Sequence, residues 1–293
     1  MAATTTAPLR LGSKAPNFTA DTTKGKIDFH EFIGDSWVVL FSHPEDYTPV
    51  CTTELGAFAK LEPEFTKRGV KLIGLSANTI ESHDGWIKDI AEVTGGHVGF
   101  PIIGDKQRQV ALAYDIRDEL WRLVLSGLVT LGLFSLFRCK CCEKSRSLKS
   151  KSWGLSTSLL HYPFEPVWRQ GRTRGELFTE KRAKPQIDHQ DATNVDSKGI
   201  AFTIRSVFFI DPKKTIRTIL SYPASTGRNA AEVLRIIDSL QTGDKHRITT
   251  PINWVPGDDV IVAPPVSNEE AEKLFPGFRI VKPYLRFTSL PKA

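Results

Sequence analysis

The residues best suited by type and spacing to do chemistry surround a single cysteine, Cys51. The apolar run 37–41 predicts a buried strand, and Pro44 marks the turn after it. Thr48 and Pro49 then predict the N-cap and the first residue of a helix. Cys51 would lie in the first turn of that helix, where free N–H groups and the positive end of the helix dipole favour a thiolate. Most isolated cysteines are small core residues, but this setting predicts a nucleophile with Thr48 within reach.

Length and composition are those of an ordinary soluble protein. At 293 residues the chain can form one large or two modest domains. Four cysteines are too few for a disulfide framework, and residues 1–6 lack the apolar stretch of a secretory signal. We therefore expect a reducing, cytoplasmic setting, with a short mitochondrial presequence left open.

The net charge of +6 comes from one internal segment. Residues 117–186 carry 14 Lys/Arg and 6 Asp/Glu, a balance of +8, which leaves the rest of the chain at −2. Because the excess of basic residues is confined to this segment, the chain as a whole gives no case for nucleic-acid binding.

Strands alternate with helices on both sides of this segment. The helix that begins at Thr48 ends before Gly69, Ser82 is the N-cap of the next helix, and a later helix runs from Asn229 to Gly243. The remaining predicted elements are strands 70–76, 100–103, 203–210 and 215–220, and helices 82–94, 106–114 and 268–274. This alternation predicts an α/β fold with helices on both faces of a sheet.

Pro44, Thr48 and Cys51 reproduce the Pro-x-x-x-Thr-x-x-Cys signature of peroxiredoxins, which are thiol peroxidases with a thioredoxin-like fold. The longer text of residues 42–56 resembles the one-cysteine, peroxiredoxin-6-like branch of that family. The resemblance implies a thioredoxin-like mixed sheet flanked by helices, with a C-terminal peroxiredoxin extension.

The resemblance also implies a domain organisation. A peroxidase domain consists of 8–116 and 187–225, and a C-terminal helix and extension, 226–293, contribute to a homodimer. The family has no counterpart for 117–186. We interpret this segment as an atypical insertion that is not part of the fold, derived from translated intron sequence or an error in the gene model.

Each residue around Cys51 receives a role from the resemblance. The thiolate attacks one peroxide oxygen while the other leaves, so the site must activate sulfur and stabilise charge on the leaving oxygen. Thr48 would hydrogen-bond to sulfur and peroxide, Pro44 would shield the site, and His43 matches a residue near the sulfur. Arg205 matches the active-site arginine of the family, although its sequence context alone indicates a surface charge at the start of a strand.

The product on Cys51 is a sulfenic acid, and residues 187–293 contain no second cysteine to resolve it. We therefore expect an external thiol such as glutathione, thioredoxin or glutaredoxin, with hydrogen peroxide and organic hydroperoxides as substrates and no cofactor or metal. The rival hypothesis is an interaction protein, either a chaperone or a membrane-tethered scaffold built on an inactive peroxidase. Intact Thr48, Cys51 and Arg205 argue against an inactive site.

A phospholipase A2 activity is a second alternative, because some relatives carry a Ser/His/Asp set in a Gly-x-Ser-x-Gly context. Here Ser36 and His30 are present, but Val38 replaces the second glycine. Lys213 occupies the position of the aspartate, with Asp211 two residues away. A nucleophile elbow needs a small residue at its tight turn and a triad needs its carboxylate, so we favour Ser36 as the end of a turn before a core strand.

Within the insertion, residues 123–137 carry no charge and are followed by Cys139, Cys141 and Cys142. This pattern suggests a membrane helix with palmitoylated cysteines, but the run is shorter than the roughly 20 residues that a bilayer requires. The three cysteines with His161 suggest a zinc site, but a second Cys/His pair is missing. We expect neither stable membrane insertion nor a metal site.

Deleting 117–186 tests the interpretation of the insertion. Joining Ile116 to Ile187 gives a chain of 223 residues whose sequence resembles the uninterrupted family text. We expect the shortened protein to keep or exceed the peroxidase activity of the full chain and to be more soluble, because an exposed apolar run is removed from a surface connection. A shortened protein that folds but lacks activity or its native dimer would show that the segment is functional.

Overall fold

A computed structural model describes residues 9–116 and 203–290, whose strands form two sheets. The strands are β1 (Thr19–Thr22), β2 (Gly25–Asp28), β3 (Trp37–Ser42), β4 (Val70–Ser76), β5 (Ile102–Gly104), β6 (Arg205–Ile210), β7 (Ile216–Tyr222), β8 (Ile248–Thr249), β9 (Val260–Val262), β10 (Arg279–Lys282) and β11 (Leu285–Thr288). The helices are α1 (Phe29–Ile33), α2 (Pro49–Lys67), α3 (Ile80–Thr94), α4 (Gln109–Ala113), α5 (Ala230–His246) and α6 (Asn268–Leu274).

The larger sheet has seven strands in the order β2-β1-β5-β4-β3-β6-β7. Strand β3, which lies between β4 and β6, runs parallel to β4 and antiparallel to β6. The smaller sheet, in the order β10-β11-β9-β8, covers its own apolar cluster around Trp254, Val260 and Val262. A mixed sheet with helices, the fold class expected from the sequence, is confirmed.

The larger sheet is apolar on both faces, as expected for a sheet that has helices packed on both sides. Side chains alternate along β3, so Val39 and Phe41 pack under α2, α3 and α5 while Val38 and Leu40 pack on the opposite side. The run predicted at 37–41 is therefore a buried core strand. At its C-terminal end, β3 leads into the loop that precedes α2.

Helix α2 begins and ends where the sequence predicts. Thr48 is the N-cap in extended conformation, Pro49 is the first helical residue, and Gly69 follows the last turn with φ +65°. The Thr48 hydroxyl, however, donates to the Glu45 carbonyl at 2.9 Å and makes no side-chain cap bond. It fixes the preceding loop to the start of the helix instead.

Helix α3 begins at Ile80, two residues before the predicted start. Thr79, not Ser82, is its N-cap, and the Thr79 hydroxyl accepts the N–H of Ser82 at 3.3 Å. The Ser82 hydroxyl donates to the carboxylate of Asp46 at 2.7 Å. The prediction of Ser82 as cap was wrong because this long-range acceptor is not visible in local sequence.

Three other predicted boundaries shift. The strand expected at 100–103 is Ile102–Gly104, and the helix expected at 106–114 is Gln109–Ala113, because Arg108 adopts a left-handed conformation with φ +57°. Helix α5 continues past Gly243 to His246 and ends at Arg247, whose left-handed backbone donates its N–H to the Gly243 carbonyl. Strands β6 and β7 and helix α6 lie where predicted to within two residues.

No helix in the ranges 9–116 and 203–290 is both long and apolar enough to cross a bilayer. The predictions about residues 117–186, including the apolar run and the Cys139–Cys142 cluster, fall outside the described residues. The proposed division between a peroxidase domain and a C-terminal extension at 226 stays a prediction.

The N-cap of α5 offers a test of how this helix is held. Asn229 accepts hydrogen bonds from the backbone N–H groups of Ala231 and Glu232 at 3.0 and 3.2 Å. Asn229→Ala should lower the free energy of unfolding by about 1 kcal/mol, measured by chemical denaturation. Asn229→Asp keeps the acceptor and should remain close to wild type, so an equal loss in both variants would contradict the cap as the source.

Candidate active site

The Cys51 thiol is buried in the first turn of α2, beside the end of strand β6 that carries Arg205. Because β3 and β6 are antiparallel, the end of β3 that leads to α2 lies next to the first residue of β6. Arg205 Nη1 donates to Cys51 Sγ at 3.2 Å. Arg205 is only 2% exposed, so its interpretation as a surface charge was wrong.

Glu54 and Arg228 complete this group of charges, and sequence reasoning missed both residues. Glu54 lies three residues after Cys51 on α2, and its carboxylate accepts from Arg205 Nη1 at 2.6 Å. Arg228 donates to the same carboxylate through Nη2 at 2.8 Å, Nε at 3.0 Å and its backbone N–H at 2.7 Å. The only local signal was the spacing of Glu54 from Cys51 on one helix face.

The guanidinium of Arg205 is held from two sides. Its Nε and Nη2 donate to the carbonyl of Ala224 at 3.0 and 2.8 Å, while Nη1 is shared between Glu54 and Cys51. Every nitrogen therefore has an acceptor. The side chain is fixed with one donor aimed at sulfur before any substrate binds.

The charge balance of this buried group favours an anion at the sulfur. Burial raises the pKa of Glu54, but the nearby guanidinium groups of Arg228 and Arg205 outweigh it and hold the pKa below its ordinary value. Two cations and one carboxylate leave a net positive charge beside Cys51. Arg228 also lies over the rings of Phe41 and Phe58, at 5.3 and 5.6 Å, which lowers the cost of burying it.

The loop before α2 forms one wall of the site. Pro44 is buried within it, and its role in shielding the thiol stays a prediction. The Thr48 hydroxyl bonds to the Glu45 carbonyl, so its role toward sulfur or peroxide stays a prediction. Thr52, next to Cys51, accepts the indole N–H of Trp86 at 3.1 Å and donates to the Thr48 carbonyl at 2.8 Å.

His43 lies in the same loop and belongs to a second buried group of polar side chains. Its Nε2 contacts Asp46 Oδ1 at 2.8 Å, and His83 Nδ1 contacts Asp46 Oδ2 at 2.8 Å. Burial lowers the pKa of His43 and thereby favours the neutral ring. Burial raises the pKa of Asp46, but hydrogen bonds from both histidines outweigh it and keep the carboxyl ionised.

These three residues are also the one set within 9–116 and 203–290 that is close enough to hold a metal ion, with candidate ligand atoms within 4.8 Å of one another. The candidate atoms already hydrogen-bond to each other at 2.8 Å. Asp46 has both carboxylate oxygens engaged. The three side chains therefore form a hydrogen-bond network centred on the Asp46 carboxylate.

The residues of the phospholipase alternative do not form a triad. His30 Nε2 bonds to the carbonyl of Ala15 at 2.8 Å. The Asp211 carboxylate accepts the backbone N–H of Thr215 at 2.9 Å, and Lys213 is exposed. No hydrogen bond among the described residues joins Ser36 to a histidine.

The geometry at Cys51 suits attack on an electrophilic oxygen. The N-terminus of α2 and the cation fixed beside the buried sulfur favour a thiolate. They also stabilise the negative charge that develops on the leaving oxygen in the transition state. The surrounding apolar cluster, which includes Trp86 and Phe41, excludes bulk water from the sulfur.

Comparisons with known proteins agree with this geometry. Residues 11–134 match the AhpC/TSA family, and residues 239–277 match the C-terminal domain of 1-Cys peroxiredoxin. The chain is 45% identical over 281 residues to the mitochondrial peroxiredoxin PRX1 of Saccharomyces cerevisiae, covering 96% of this chain and 80% of that protein. It is 37% identical to peroxiredoxin-6 of Gallus gallus, covering 97% of this chain and 99% of that protein.

A solved structure of a relative also superposes on this chain. The yeast mitochondrial 1-Cys peroxiredoxin superposes with a TM-score of 0.68 at 44% identity, covering 96% of this chain and all of that one. Its structure is described as the basis of thiol resolution through the glutathione and thioredoxin systems. The family match ends at residue 134, eighteen residues past the expected boundary at 116, so it includes part of the proposed insertion.

Replacing Glu54 tests the charge balance at the site. Glu54→Gln leaves two buried guanidinium groups without their counter-ion, so we expect the free energy of unfolding at pH 7 to fall by about 3–5 kcal/mol. The folded-state pKa of Glu54 lies below the ordinary value of 4.5, so the carboxylate stabilises fully above that value. Its contribution is lost as the pH falls through the folded pKa, and the gap between wild type and variant should narrow in acid.

Glu64→Gln is the matched control on the same helix. Glu64 pairs with Lys67 and Arg68 at the surface, where solvent screens the interaction. Its replacement should cost far less than that of Glu54. Equal losses in urea unfolding for the two variants would contradict a special role for the buried group.

Proposed function

The chain belongs to the 1-Cys peroxiredoxins, which are thiol-dependent peroxidases, and on this premise we propose that Cys51 is the residue that reduces hydrogen peroxide and organic hydroperoxides. The observation that carries the proposal is the 3.2 Å contact from Arg205 Nη1 to Cys51 Sγ. The position of Cys51 in the first turn of α2 supports it, because the helix N-terminus favours the thiolate that attacks.

The reaction proceeds by attack of the thiolate on one peroxide oxygen. An S–O bond forms and the O–O bond breaks, so sulfur is oxidised and the peroxide is reduced. The proton of the attacked oxygen passes to the leaving oxygen, giving water or an alcohol, and Cys51 becomes a sulfenic acid after protonation. Arg205 stabilises the negative charge that develops in this step.

The neighbouring side chains have supporting roles in this proposal. Glu54 and Ala224 fix the orientation of Arg205, as their hydrogen bonds show. Pro44 limits the access of water to the thiol. The Thr48 hydroxyl, at the N-cap three residues before Cys51, would exchange its bond to the Glu45 carbonyl for one to the bound peroxide.

An external thiol completes the cycle. The yeast relative is described as resolved through the glutathione and thioredoxin systems, and we propose the same class of reductant for this chain. A reductant of this kind requires a reducing compartment, either the cytosol or, by analogy with the relative named mitochondrial, the mitochondrion. A homodimer formed partly by the C-terminal extension is proposed from the family.

The phospholipase alternative has no supporting observation, because His30 bonds to the backbone carbonyl of Ala15 and the Asp211 carboxylate contacts the Thr215 N–H and Arg217. A chaperone or scaffold built on an inactive peroxidase is likewise disfavoured. Cys51 and Arg205 retain the contact that peroxide reduction needs.

Two substitutions test the peroxidase assignment. Cys51→Ser should abolish turnover, and Arg205→Ala should slow formation of the sulfenic acid by at least about 10²-fold, equal to about 2.7 kcal/mol of transition-state stabilisation. Stopped-flow measurement of the first oxidation step gives both results. Residual turnover above a few per cent of wild type in Cys51→Ser would identify another cysteine as the nucleophile.

Arg217→Ala provides the control for removal of a positive charge. Arg217 lies on the neighbouring strand β7 and pairs with Asp244 at 2.7 Å, away from the thiol. Its oxidation rate should stay close to that of wild type. If Arg217→Ala and Arg205→Ala slow the step equally, a general loss of charge or stability would explain the effect instead.

A further inference from the structure

The hydrogen bonds around Asp46 define the proton positions on two buried histidines. An ionised carboxylate only accepts hydrogen bonds, so the contacts at 2.8 Å require protons on His43 Nε2 and on His83 Nδ1. The second ring nitrogen of His83, Nε2, lies 3.2 Å from the carbonyl oxygen of Ile103.

His43 differs from His83 in its second ring nitrogen. With Nε2 protonated and the neutral ring favoured by burial, Nδ1 carries a lone pair. This atom is buried and has no hydrogen-bond partner among the described residues. A buried acceptor without a partner is costly in free energy, and a catalytic role is one physical reason for a protein to keep it.

His43 is connected to the surroundings of Cys51 through Trp86 and Ser42. Its ring centroid lies 5.1 Å from that of Trp86, whose indole donates to Thr52 beside the cysteine. The residue before His43, Ser42, offers its carbonyl to Arg228 Nη1 at 2.8 Å. His43 is thus flanked on two sides by residues that contact the helix start or the charged group.

We propose that Asp46 and His83 are positioning residues that hold His43 as the neutral Nε2–H tautomer, so that its Nδ1 takes the proton of the external thiol during resolution. This inference rests on the proposed function and concerns its second half. The thiol sulfur attacks Cys51 Sγ, an S–S bond forms and the S–O bond of the sulfenic acid breaks. The thiol proton passes through Nδ1 to the departing hydroxide, giving water.

Oxidation by peroxide does not require a base at His43, whereas resolution by a neutral thiol does. In the oxidation step the nucleophile is the thiolate of Cys51, and the proton of the peroxide moves to the leaving oxygen. A neutral thiol must instead lose a proton while hydroxide gains one, and an imidazole nitrogen can do both in turn. The tautomer matters because a proton already on Nδ1 would prevent the transfer, as known for triads whose aspartate becomes asparagine.

Asp46→Asn tests this proposal without removing His43. The amide keeps the shape of the carboxylate but has only one oxygen, so it cannot accept from both histidines. Resolution of the preformed sulfenic acid by glutathione should slow by about 10²-fold, and far more than oxidation by peroxide slows. With thionitrobenzoate, which arrives as a thiolate and brings no proton, the variant and wild type should react at rates within about threefold of each other.

Ser82→Ala is the matched control, since it removes one hydrogen bond to Asp46 but leaves both histidine contacts. Its rate of resolution by glutathione should remain close to that of wild type. Equal slowing of Asp46→Asn with glutathione and with thionitrobenzoate would overturn the proposal, because a damaged site slows both. Failure of the wild-type chain to form a sulfenic acid would refute the proposed function itself.

Histidine nitrogen NMR of the wild-type protein gives a test that needs no variant. Nδ1 of His43 should resonate as an unprotonated nitrogen, and Nδ1 of His83, which donates to Asp46, as a protonated one. A protonated Nδ1 on reduced His43 at neutral pH would overturn the proposal even if Asp46→Asn fails to fold.

Discussion

The contact between Arg205 and Cys51 is the interaction on which the site depends. A guanidinium buried beside a thiol costs free energy unless its other donors are satisfied, and here Glu54 and the Ala224 carbonyl satisfy them. Glu54 in turn binds Arg228, so the four charged or nucleophilic groups form one connected unit. Because two guanidinium groups share one carboxylate, the unit has a net positive charge, which stabilises an anion at the sulfur.

The fold serves this unit by bringing together segments that are far apart in sequence. Antiparallel pairing of β3 with β6 sets Arg205 beside the start of α2, about 150 residues away along the chain. The cap of α5 places Arg228 immediately before that helix, against the Glu54 carboxylate. The start of α2 supplies the helix dipole, strand β6 supplies Arg205, and the loop before α5 supplies Arg228.

Elements whose position depends only on neighbouring residues could be predicted from the sequence. The strand before the loop, the cap at Thr48 and the thiol in the first turn follow from residues within about fifteen positions of each other, and all three lie as predicted. The resemblance to the family added Arg205, although the residues next to Arg205 in the sequence had suggested an exposed side chain. Glu54 and Arg228 were missed because their function comes from contacts across 174 residues of chain. Ser82 was misread as a cap for the same reason, since its acceptor Asp46 is distant in sequence.

We propose that Cys51 alone turns peroxide into a sulfenic acid that an external thiol resolves. Intact-mass and peptide analysis after one equivalent of hydrogen peroxide, with dimedone added to one sample and glutathione to another, would identify the oxidised residue. We expect a dimedone adduct on the Cys51 peptide and, in the second sample, a glutathione disulfide on the same residue. Adducts on Cys139, Cys141 or Cys142, with Cys51 unmodified, would show that the proposal is wrong.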